Sequence, residues 1–290
     1  AFALSTGMAA ITLLMEIFKP GDHFVVEADL YGGSIRLFDN ISKKNNYEFT
    51  YLNCSKDDIE GAIKENTKAI YIETPTNPMM NVSDISAIAR IAKKYNILLI
   101  VDNTFLSPYF QNPLKLGADV VIHSGTKFLG GHNDTLAGFI VTNNEEVREK
   151  LRFLIKTTGA GLPPFDSWLI LRGIKTLGIR MEKSQENAII AKWLKEQRIV
   201  KNVYYPGLPE HPGYEVIKKQ ARGFGSMITF DVDTKEHALN ILERVRMIKF
   251  AESLGGVETL ITYPTTQTHA DVPEDVRLKN GITPGTLRLS

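Results

Sequence analysis

The sequence predicts an α/β protein with a mostly parallel sheet, followed by a smaller α+β region. Short β-branched segments alternate with helix-like segments through the first half of the chain, which is typical of parallel strands joined by helices. Polar clusters follow three of the strand-like segments at the points where they end. Because ligands of open α/β sheets bind at that carboxyl edge, a binding site is predicted there.

The first half of the chain supplies the predicted sheet. A helix is predicted at residues 5–18, because Ser5 or Thr6 can cap it and apolar residues follow at helical spacing. Strands are predicted at residues 24–27, 49–52, 69–72, 97–101, 120–122 and 137–141. Helices are predicted between them at residues 32–39, 57–65 and 82–95.

The second half of the chain predicts a smaller α+β domain. A helix at residues 145–156 is followed by a long helical stretch at 167–197, interrupted by Gly173 and Gly178. Its apolar residues, among them Trp168 and Trp193, are predicted to be core or subunit contacts. Strands at residues 203–205, 227–232, 260–263 and 286–289 and a helix at 235–246 complete it. We therefore predict a large domain at residues 1–178 and a C-terminal domain at 179–290.

Composition excludes several function classes. The 290 residues carry 34 basic and 33 acidic side chains, a net charge of +1, so neither nucleic acid nor a membrane is expected as a partner. No metal site is predicted. The single cysteine, Cys54, excludes an intramolecular disulfide, and a cytoplasmic location is expected.

The chain starts at Ala1 without methionine and stops within a predicted strand at Ser290, which predicts a fragment that lacks both termini.

Lys127 has an unusual setting for a lysine. It follows the predicted strand at residues 120–122, with Ser124 and Thr126 before it and Gly130 and Gly131 after it. The hydroxyls can bind a phosphate, and an amine in a partly desolvated pocket can form a Schiff base with a carbonyl. From this segment alone, a solvated lysine between strand and loop remains an equal alternative.

Other residues supply the parts that an aldehyde cofactor with a phosphate and a pyridine ring requires. Asp102 ends a predicted buried strand, where a carboxylate keeps a pyridinium protonated; a helix cap or loop hydrogen bond is the alternative. Tyr31 can stack on a ring, and Arg288 can bind a substrate carboxylate. A phosphate cradle is predicted from the Gly7 and Met8 amides with Ser124 and Thr126; for the helix start taken alone, a plain capped helix is the favoured alternative.

Together these residues resemble the pyridoxal-phosphate-dependent enzymes of cysteine and methionine metabolism, the trans-sulfuration family. This family includes cystathionine γ-synthases, cystathionine lyases, methionine γ-lyases and O-acylhomoserine thiolases. The matching motifs run in the family's order along the whole chain: Ser5 to Ala10, Asp29 to Gly33, Glu73 to Pro78, Val101 to Phe105, His123 to His132, Glu252 to Gly256, Thr268 to Ala270 and Leu287 to Ser290. The resemblance implies the fold type I of pyridoxal-phosphate-dependent transferases, which is similar to that of aspartate aminotransferase.

The resemblance also implies a role for each matching residue. Lys127 would be the Schiff-base lysine and proton shuttle, and Tyr31 would stack on the ring and assist proton transfer. Pyridoxal 5'-phosphate would be bound by Gly7, Met8, Tyr31, Asn77, Asp102, Thr104, Ser124, Thr126 and Lys127. The substrate would be bound by Glu252, Ser253, Thr268, Arg288 and Arg36, with Glu73 as a further polar residue of the site.

The resemblance narrows the reaction to trans-sulfuration. At Glu252 the sequence is similar to that of family members that act on cystathionine. At residues 261–271 it resembles bacterial cystathionine γ-synthases and O-acetylhomoserine thiolases. γ-Replacement of an O-acylhomoserine by cysteine is therefore expected. The alternatives are a cystathionine γ-lyase or β-lyase, an inactive fragment or paralogue, and a fold-related aminotransferase.

The family's assembly implies a homotetramer, a dimer of dimers with shared active sites. In the family, a tyrosine and an arginine upstream of the present first residue reach the neighbouring subunit's phosphate. This chain alone is therefore expected to bind the cofactor weakly or to assemble poorly.

Overall fold

A computed structural model describes all 290 residues and contains two β-sheets. The larger sheet has seven strands: β1 (Phe2–Leu4), β2 (His23–Glu27), β3 (Glu48–Leu52), β4 (Thr67–Glu73), β5 (Leu98–Asp102), β6 (Val120–Ser124) and β7 (Gly138–Thr142). Their spatial order is β1-β7-β6-β5-β4-β2-β3, and strands β2 to β6 are parallel. Only β7 runs antiparallel to its neighbours, β1 and β6, which confirms the predicted mostly parallel sheet.

Helices cover both faces of this sheet. They are α1 (Gly7–Met15), α2 (Gly32–Asn40), α3 (Ile85–Lys94), α4 (Ser107–Phe110) and α5 (Glu145–Thr158). Alternate residues of one strand enter different cores: Val26 packs with α1, α2 and α5, whereas Val25 packs with α3. Every residue of β2 is therefore buried, as expected for a parallel strand between two helical layers.

The second region follows three consecutive helices, α6 (Pro164–Ile174), α7 (Leu177–Asn187) and α8 (Ile190–Lys195). Its mixed sheet contains β8 (Val200–Tyr204), β9 (Ile228–Val232), β10 (Lys249–Phe250), β11 (Leu260–Thr262) and β12 (Thr286–Leu289), in the order β10-β11-β12-β9-β8. The remaining helices are α9 (Tyr214–Gln220), α10 (Lys235–Arg244) and α11 (Glu274–Lys279). The predicted domain boundary after residue 178 falls within α7 and stays a prediction.

Two sequence predictions were wrong. The helix predicted at residues 57–65 is only a 3-10 turn, Glu60–Ala62. Asp57 and Asp58 accept hydrogen bonds from the backbone amides of Asn53 and Gly61 at 2.8 and 3.0 Å, and such local bonds compete with a helix. The helical stretch predicted at residues 167–197 breaks after Ile174, next to Gly173 as predicted, but its second break follows Asn187 and not Gly178.

Some apolar side chains of α6 and α8, which were predicted to be core or subunit contacts, are exposed. Trp168 and Trp193 are 58% and 55% exposed, so they are not core residues of this chain. Their prediction as subunit contacts stays open.

No helix of the structure has the length and hydropathy needed to cross a membrane.

Candidate active site

The site lies where three parallel strands end. Glu73 at the end of β4 pairs in register with Asp102 at the end of β5, and Ser124 ends β6 beside them. These residues line a cavity of about 210 Å³. The other lining residues are Thr6, Gly7, Met8, Ile11, Tyr31, Asn77, Thr104, Phe105, Thr126, Lys127, Leu136, Glu252, Ser253, Leu254, Thr268 and Arg288. The structure thus brings together every predicted site residue except Arg36.

Lys127 presents a buried amine to this cavity. Its Nζ donates a hydrogen bond to Ser253 Oγ at 3.0 Å. Burial, and then the positive charge of Arg288, lower the pKa of the Lys127 amine to about 8, while Glu252 opposes the shift. A larger fraction of this amine than of an exposed lysine is therefore neutral and nucleophilic at neutral pH.

The start of α1 forms an anion cradle. Thr6 caps the helix by accepting a hydrogen bond from the Ala9 amide at 2.9 Å, and the first amides of a helix, here those of Gly7 and Met8, have no acceptor within it. A Cβ atom at Gly7 would lie 3.0 Å from Ser124 Cβ and 3.1 Å from its Oγ, so a larger residue at this position would crowd Ser124. Amides and hydroxyls converging at a helix N-terminus fit a phosphate.

Asp102 is held firmly at the end of β5. Its Oδ1 accepts hydrogen bonds from the Thr104 amide at 3.0 Å and from Thr104 Oγ1 at 2.6 Å. Thr104 Oγ1 in turn accepts a bond from the Ser124 amide at 2.8 Å. Burial raises the pKa of Asp102 to about 6, against the effect of the Thr104 hydrogen bonds. A cationic ring nitrogen nearby would restore the charged carboxylate.

Arg288 lies on β12 and is 1% exposed. It donates hydrogen bonds to Asn77 Oδ1 at 2.7 Å, to the Ser253 carbonyl at 3.0 Å and to Thr262 Oγ1 at 3.1 Å, whereas its Nε has no partner. Burial lowers its pKa to about 10, so it stays cationic at neutral pH. A buried guanidinium with an unused donor suits a substrate carboxylate.

Tyr31 and Ser253 flank the cavity in distinct backbone settings. The Tyr31 amide donates to Glu73 Oε2 at 3.0 Å, and burial, followed by Asp102, raises the pKa of Glu73 well above its usual range. The Tyr31 ring lies against Gly33, where an added Cβ would be 2.4 Å from Tyr31 Cε1. Ser253 has a φ of 94°, a costly conformation for serine that occurs more often at functional sites.

Arg36 is the predicted site residue that does not line the cavity. Its Nη1 lies 2.5 Å from Asp271 Oδ2 in an exposed ion pair. Sequence reasoning missed other lining residues: Thr6, Ile11, Phe105, Leu136 and Leu254. Thr6 and Phe105 adjoin predicted residues in the motifs, whereas no pattern distinguishes Leu136, which becomes part of the cavity only through the fold.

Comparisons with known proteins agree on one family. The model of the Cys/Met metabolism PLP-dependent enzymes matches residues 1–290. A cystathionine γ-lyase of Bacillus subtilis is 50% identical over 100% of this chain and 77% of its own. A cystathionine γ-synthase/O-acetylhomoserine (thiol)-lyase of the same organism is 49% identical over 99% of this chain and 74% of its own. A Lactococcus lactis cystathionine β-lyase is 47% identical over 100% and 77%.

Solved structures agree with the observed fold. The structure of a cystathionine γ-lyase from Lactobacillus plantarum, complexed with L-serine, superposes with a TM-score of 0.98. It is 43% identical and is matched over 76% of its length by 100% of this chain.

The cavity fits pyridoxal 5'-phosphate by the chemistry of its own groups. The cradle at Gly7 and Ser124 suits the phosphate, Asp102 suits the ring nitrogen, and the Lys127 amine suits the aldehyde. Together with the family match over the full chain, these features show that the chain belongs to the pyridoxal-phosphate-dependent enzymes of cysteine and methionine metabolism. It is a trans-sulfuration enzyme, a synthase or a lyase.

Proposed function

We propose that this chain catalyses γ-replacement, in which cysteine displaces the acyl group of an O-acylhomoserine and cystathionine is formed. The observation that carries the proposal is one cavity lined by a lysine of lowered pKa, a buried arginine and a carboxylate: Lys127, Arg288 and Glu252. A substrate amino acid with a second polar end would interact with all three groups.

Lys127 is proposed to move the protons. Bound pyridoxal phosphate supplies an electron sink that stabilises negative charge at the substrate α-carbon. The Lys127 amine removes and passes on a proton from the α-carbon and then removes one from the β-carbon, so that the acyl group leaves the γ-carbon as a carboxylate. The sulfur of cysteine, having lost its proton, bonds to the γ-carbon, and protons return to the β- and α-carbons. A base with a pKa near 8 suits this task, because general-base efficiency is highest when the pKa lies near the working pH. Its hydrogen bond to Ser253 Oγ at 3.0 Å sets the direction of the amine.

The remaining residues are proposed to bind and orient. Gly7, Met8, Ser124 and Thr126 would hold the cofactor phosphate, and Tyr31, Asn77, Asp102 and Thr104 would hold its ring. Arg288 binds the substrate α-carboxylate, with Ser253 and Thr268 beside it. Asn77 Oδ1 already accepts from Arg288 at 2.7 Å, so Asn77 links the ring side of the cavity to the carboxylate side.

Glu252 is proposed to select amino acids with a distal ammonium group. It lines the cavity, is solvent-exposed and is close enough to Lys127 and Arg288 to affect both pKa values. The ammonium of incoming cysteine, or the distal one of cystathionine, would be attracted to it. The second candidate function is therefore cystathionine γ-lyase or β-lyase activity, which relatives of almost equal identity carry in their names.

A homotetramer made of two dimers is proposed as the assembly. It is supported by large apolar side chains that the single chain leaves exposed on α5 and α6. Phe153, Phe165, Trp168 and Leu171 are 58–68% exposed, and uncovered groups of this kind mark interfaces.

Product analysis tests the proposed function. The full-length protein, loaded with pyridoxal phosphate, is incubated with O-acetyl- or O-succinylhomoserine plus cysteine, and separately with cystathionine alone. We expect cystathionine to accumulate in the first mixture. Cysteine with 2-oxobutanoate from the second would identify a γ-lyase instead, and homocysteine with pyruvate a β-lyase. The Lys127→Ala variant is the control for both mixtures.

A further inference from the structure

Tyr71 carries a buried hydroxyl to which the proposed reaction gives no role. The residue lies on β4, is 2% exposed and packs edge-on against Phe38 of α2, with the ring centroids 5.4 Å apart. Its Oη has no hydrogen-bond partner in the structure. A buried hydroxyl without a partner destabilises a fold, and phenylalanine would fill the same space without that cost. Packing therefore accounts for the ring of Tyr71 but not for its hydroxyl.

The strand register brings this hydroxyl to Asp102. Tyr71 pairs with Ile100 on β5. Two positions further along both strands, Glu73 pairs with Asp102. Because side chains alternate between the two faces of a sheet, Tyr71 and Asp102 lie on the same face as diagonal neighbours. An aromatic side chain is long enough to reach a diagonal neighbour on the adjacent strand, so the hydroxyl can reach the carboxylate.

The two groups also act on each other electrostatically. Burial, and then the charge of Asp102, raise the pKa of the Tyr71 hydroxyl well above its usual range, so the hydroxyl keeps its proton and can donate it. Burial raises the pKa of Asp102 to about 6, and Thr104 and then Tyr71 oppose that shift. Both hydrogen bonds from Thr104 are accepted by Asp102 Oδ1, whereas Oδ2 accepts none in this structure. A further donor would therefore favour the charged form of the carboxylate.

We propose that Tyr71 is a positioning residue for the cofactor ring, because its hydroxyl donates a hydrogen bond to Asp102 when that carboxylate binds the ring nitrogen. The hydrogen bond keeps Asp102 charged and fixes its direction, and the proton stays on the tyrosine. The cost of the unpartnered hydroxyl in the cofactor-free chain is thereby offset on binding. This inference rests on the proposed contact between Asp102 and the ring nitrogen, and it does not depend on which reaction the chain catalyses.

The test measures binding of 4'-deoxypyridoxine 5'-phosphate to the full-length protein freed of cofactor. This compound has the ring and the phosphate of the cofactor but no aldehyde, so Lys127 does not react with it and no turnover is needed. Tyr71→Phe removes only the hydroxyl. Tyr47→Phe is the matched control, because Tyr47 is buried in the same core and its hydroxyl is partnered, by the carbonyls of Met15 and Phe18 at 3.0 and 3.2 Å. Calorimetry gives the dissociation constants, and thermal denaturation gives the stability of each cofactor-free variant.

We expect Tyr71→Phe to weaken binding at least about tenfold, the factor for one hydrogen bond to a charged group. The denaturation midpoint of the cofactor-free protein should stay the same or rise. Tyr47→Phe should lower that midpoint and leave the dissociation constant unchanged. In an Asp102→Asn background, Tyr71→Phe should have almost no further effect, because the two groups act as a pair. Unchanged affinity in Tyr71→Phe, a loss of affinity together with stability, the same loss in Tyr47→Phe, or a full effect in the Asp102→Asn background would overturn the inference.

The pH dependence separates this role from a packing role. Tyr71 lowers the pKa of Asp102, so its removal raises that pKa. Affinity is lost as pH falls through the pKa of Asp102, and in Tyr71→Phe this loss should begin at a higher pH than in the parent. The other titratable groups around the cavity are the same in every variant: Tyr31, Glu73, Lys127, Glu252 and Arg288. A midpoint that stays at the parent's pH would overturn the inference. A protein that forms no cystathionine would refute the proposed function, whereas this binding comparison would still decide the role of Tyr71.

Discussion

The side of the cavity proposed to bind the phosphate, here called the phosphate side, and the side proposed to bind the substrate, called the substrate side, are built in different ways. On the phosphate side Gly7 starts α1, Ser124 ends β6 and Thr126 follows two residues later, so the geometry comes from a helix start beside a strand end. The substrate side comes from the second region: Lys127 meets Ser253 across 126 residues, and Arg288 meets Asn77 across 211. The phosphate side is thus fixed by local geometry, whereas the substrate side depends on how the second region packs against the first.

The two sides also differ in what holds them. The phosphate side uses backbone amides and a hydroxyl network around Thr104. The substrate side has a buried arginine with an unpaired Nε and a serine at φ 94°. Unsatisfied and strained groups are costly unless a ligand uses them, so we expect substitutions to affect the two sides differently.

The largest effect is expected at the residue shared by both sides. Lys127→Ala removes the only amine within the cavity that can act as the base, so turnover should fall by at least about 10²–10⁴-fold, the usual contribution of a general base. The cofactor absorbance of the loaded protein should change as well. Replacing exposed Lys115 by Ala is the control and should leave both unchanged; turnover by Lys127→Ala close to that of the parent would contradict the account.

The next largest effect is expected on the substrate side. Arg288→Lys keeps the charge but cannot keep the three hydrogen bonds to Asn77, Ser253 and Thr262. The KM for the amino-acid substrate should rise about thirtyfold or more, since disrupting a buried hydrogen-bonded charge costs at least about 2 kcal/mol. The affinity for pyridoxal phosphate should change much less. Arg244→Lys at an exposed site on α10 is the matched variant, and an equal loss of cofactor and substrate affinity in Arg288→Lys would remove the distinction between the sides.

A smaller effect is expected on the phosphate side. Gly7→Ala places a methyl group 3.0 Å from Ser124 Cβ, so the cradle must widen, and cofactor affinity should fall severalfold, about 1 kcal/mol for mild overpacking. Gly161→Ala puts the same methyl group where no atom lies within 4 Å and should have no effect. Equilibrium titration with pyridoxal phosphate measures both; identical affinities for the two variants would show that the cradle is not tight.

The smallest effect is a shift along the pH axis. Because the neutral amine reacts with an aldehyde, capture of pyridoxal phosphate by the cofactor-free protein should accelerate as pH rises and level off above about 8, the pKa of Lys127. Glu252 raises that pKa, so Glu252→Gln should move the midpoint to lower pH. Stopped-flow absorbance gives both midpoints. A midpoint near the value of a free lysine, or an upward movement in Glu252→Gln, would be inconsistent with a desolvated amine.

The sequence predicted the phosphate side better than the substrate side, for a physical reason. Lys127, Asp102 and Gly7 follow or begin regular elements, so periodicity and capping patterns place them. Glu252, Ser253 and Thr268 were placed by the family resemblance. Arg288 was proposed from its chemistry, but neither its contact with Asn77 nor its hydrogen bond to Thr262 could be predicted from spacing. Arg36 shows the limit: it was predicted to bind the substrate, yet it does not line the cavity and its guanidinium pairs with a carboxylate 235 residues away.

The measurement that tests the central claim most directly is reductive trapping on the full-length protein. Borohydride reduces a carbon–nitrogen double bond between the cofactor aldehyde and an amine and fixes the cofactor to the residue that holds it. Peptide mapping by mass spectrometry should then find the added mass on the peptide that contains Lys127 and on no other lysine. Cofactor fixed to a different lysine, or no label after loading, would contradict the assignment of this cavity as the active site.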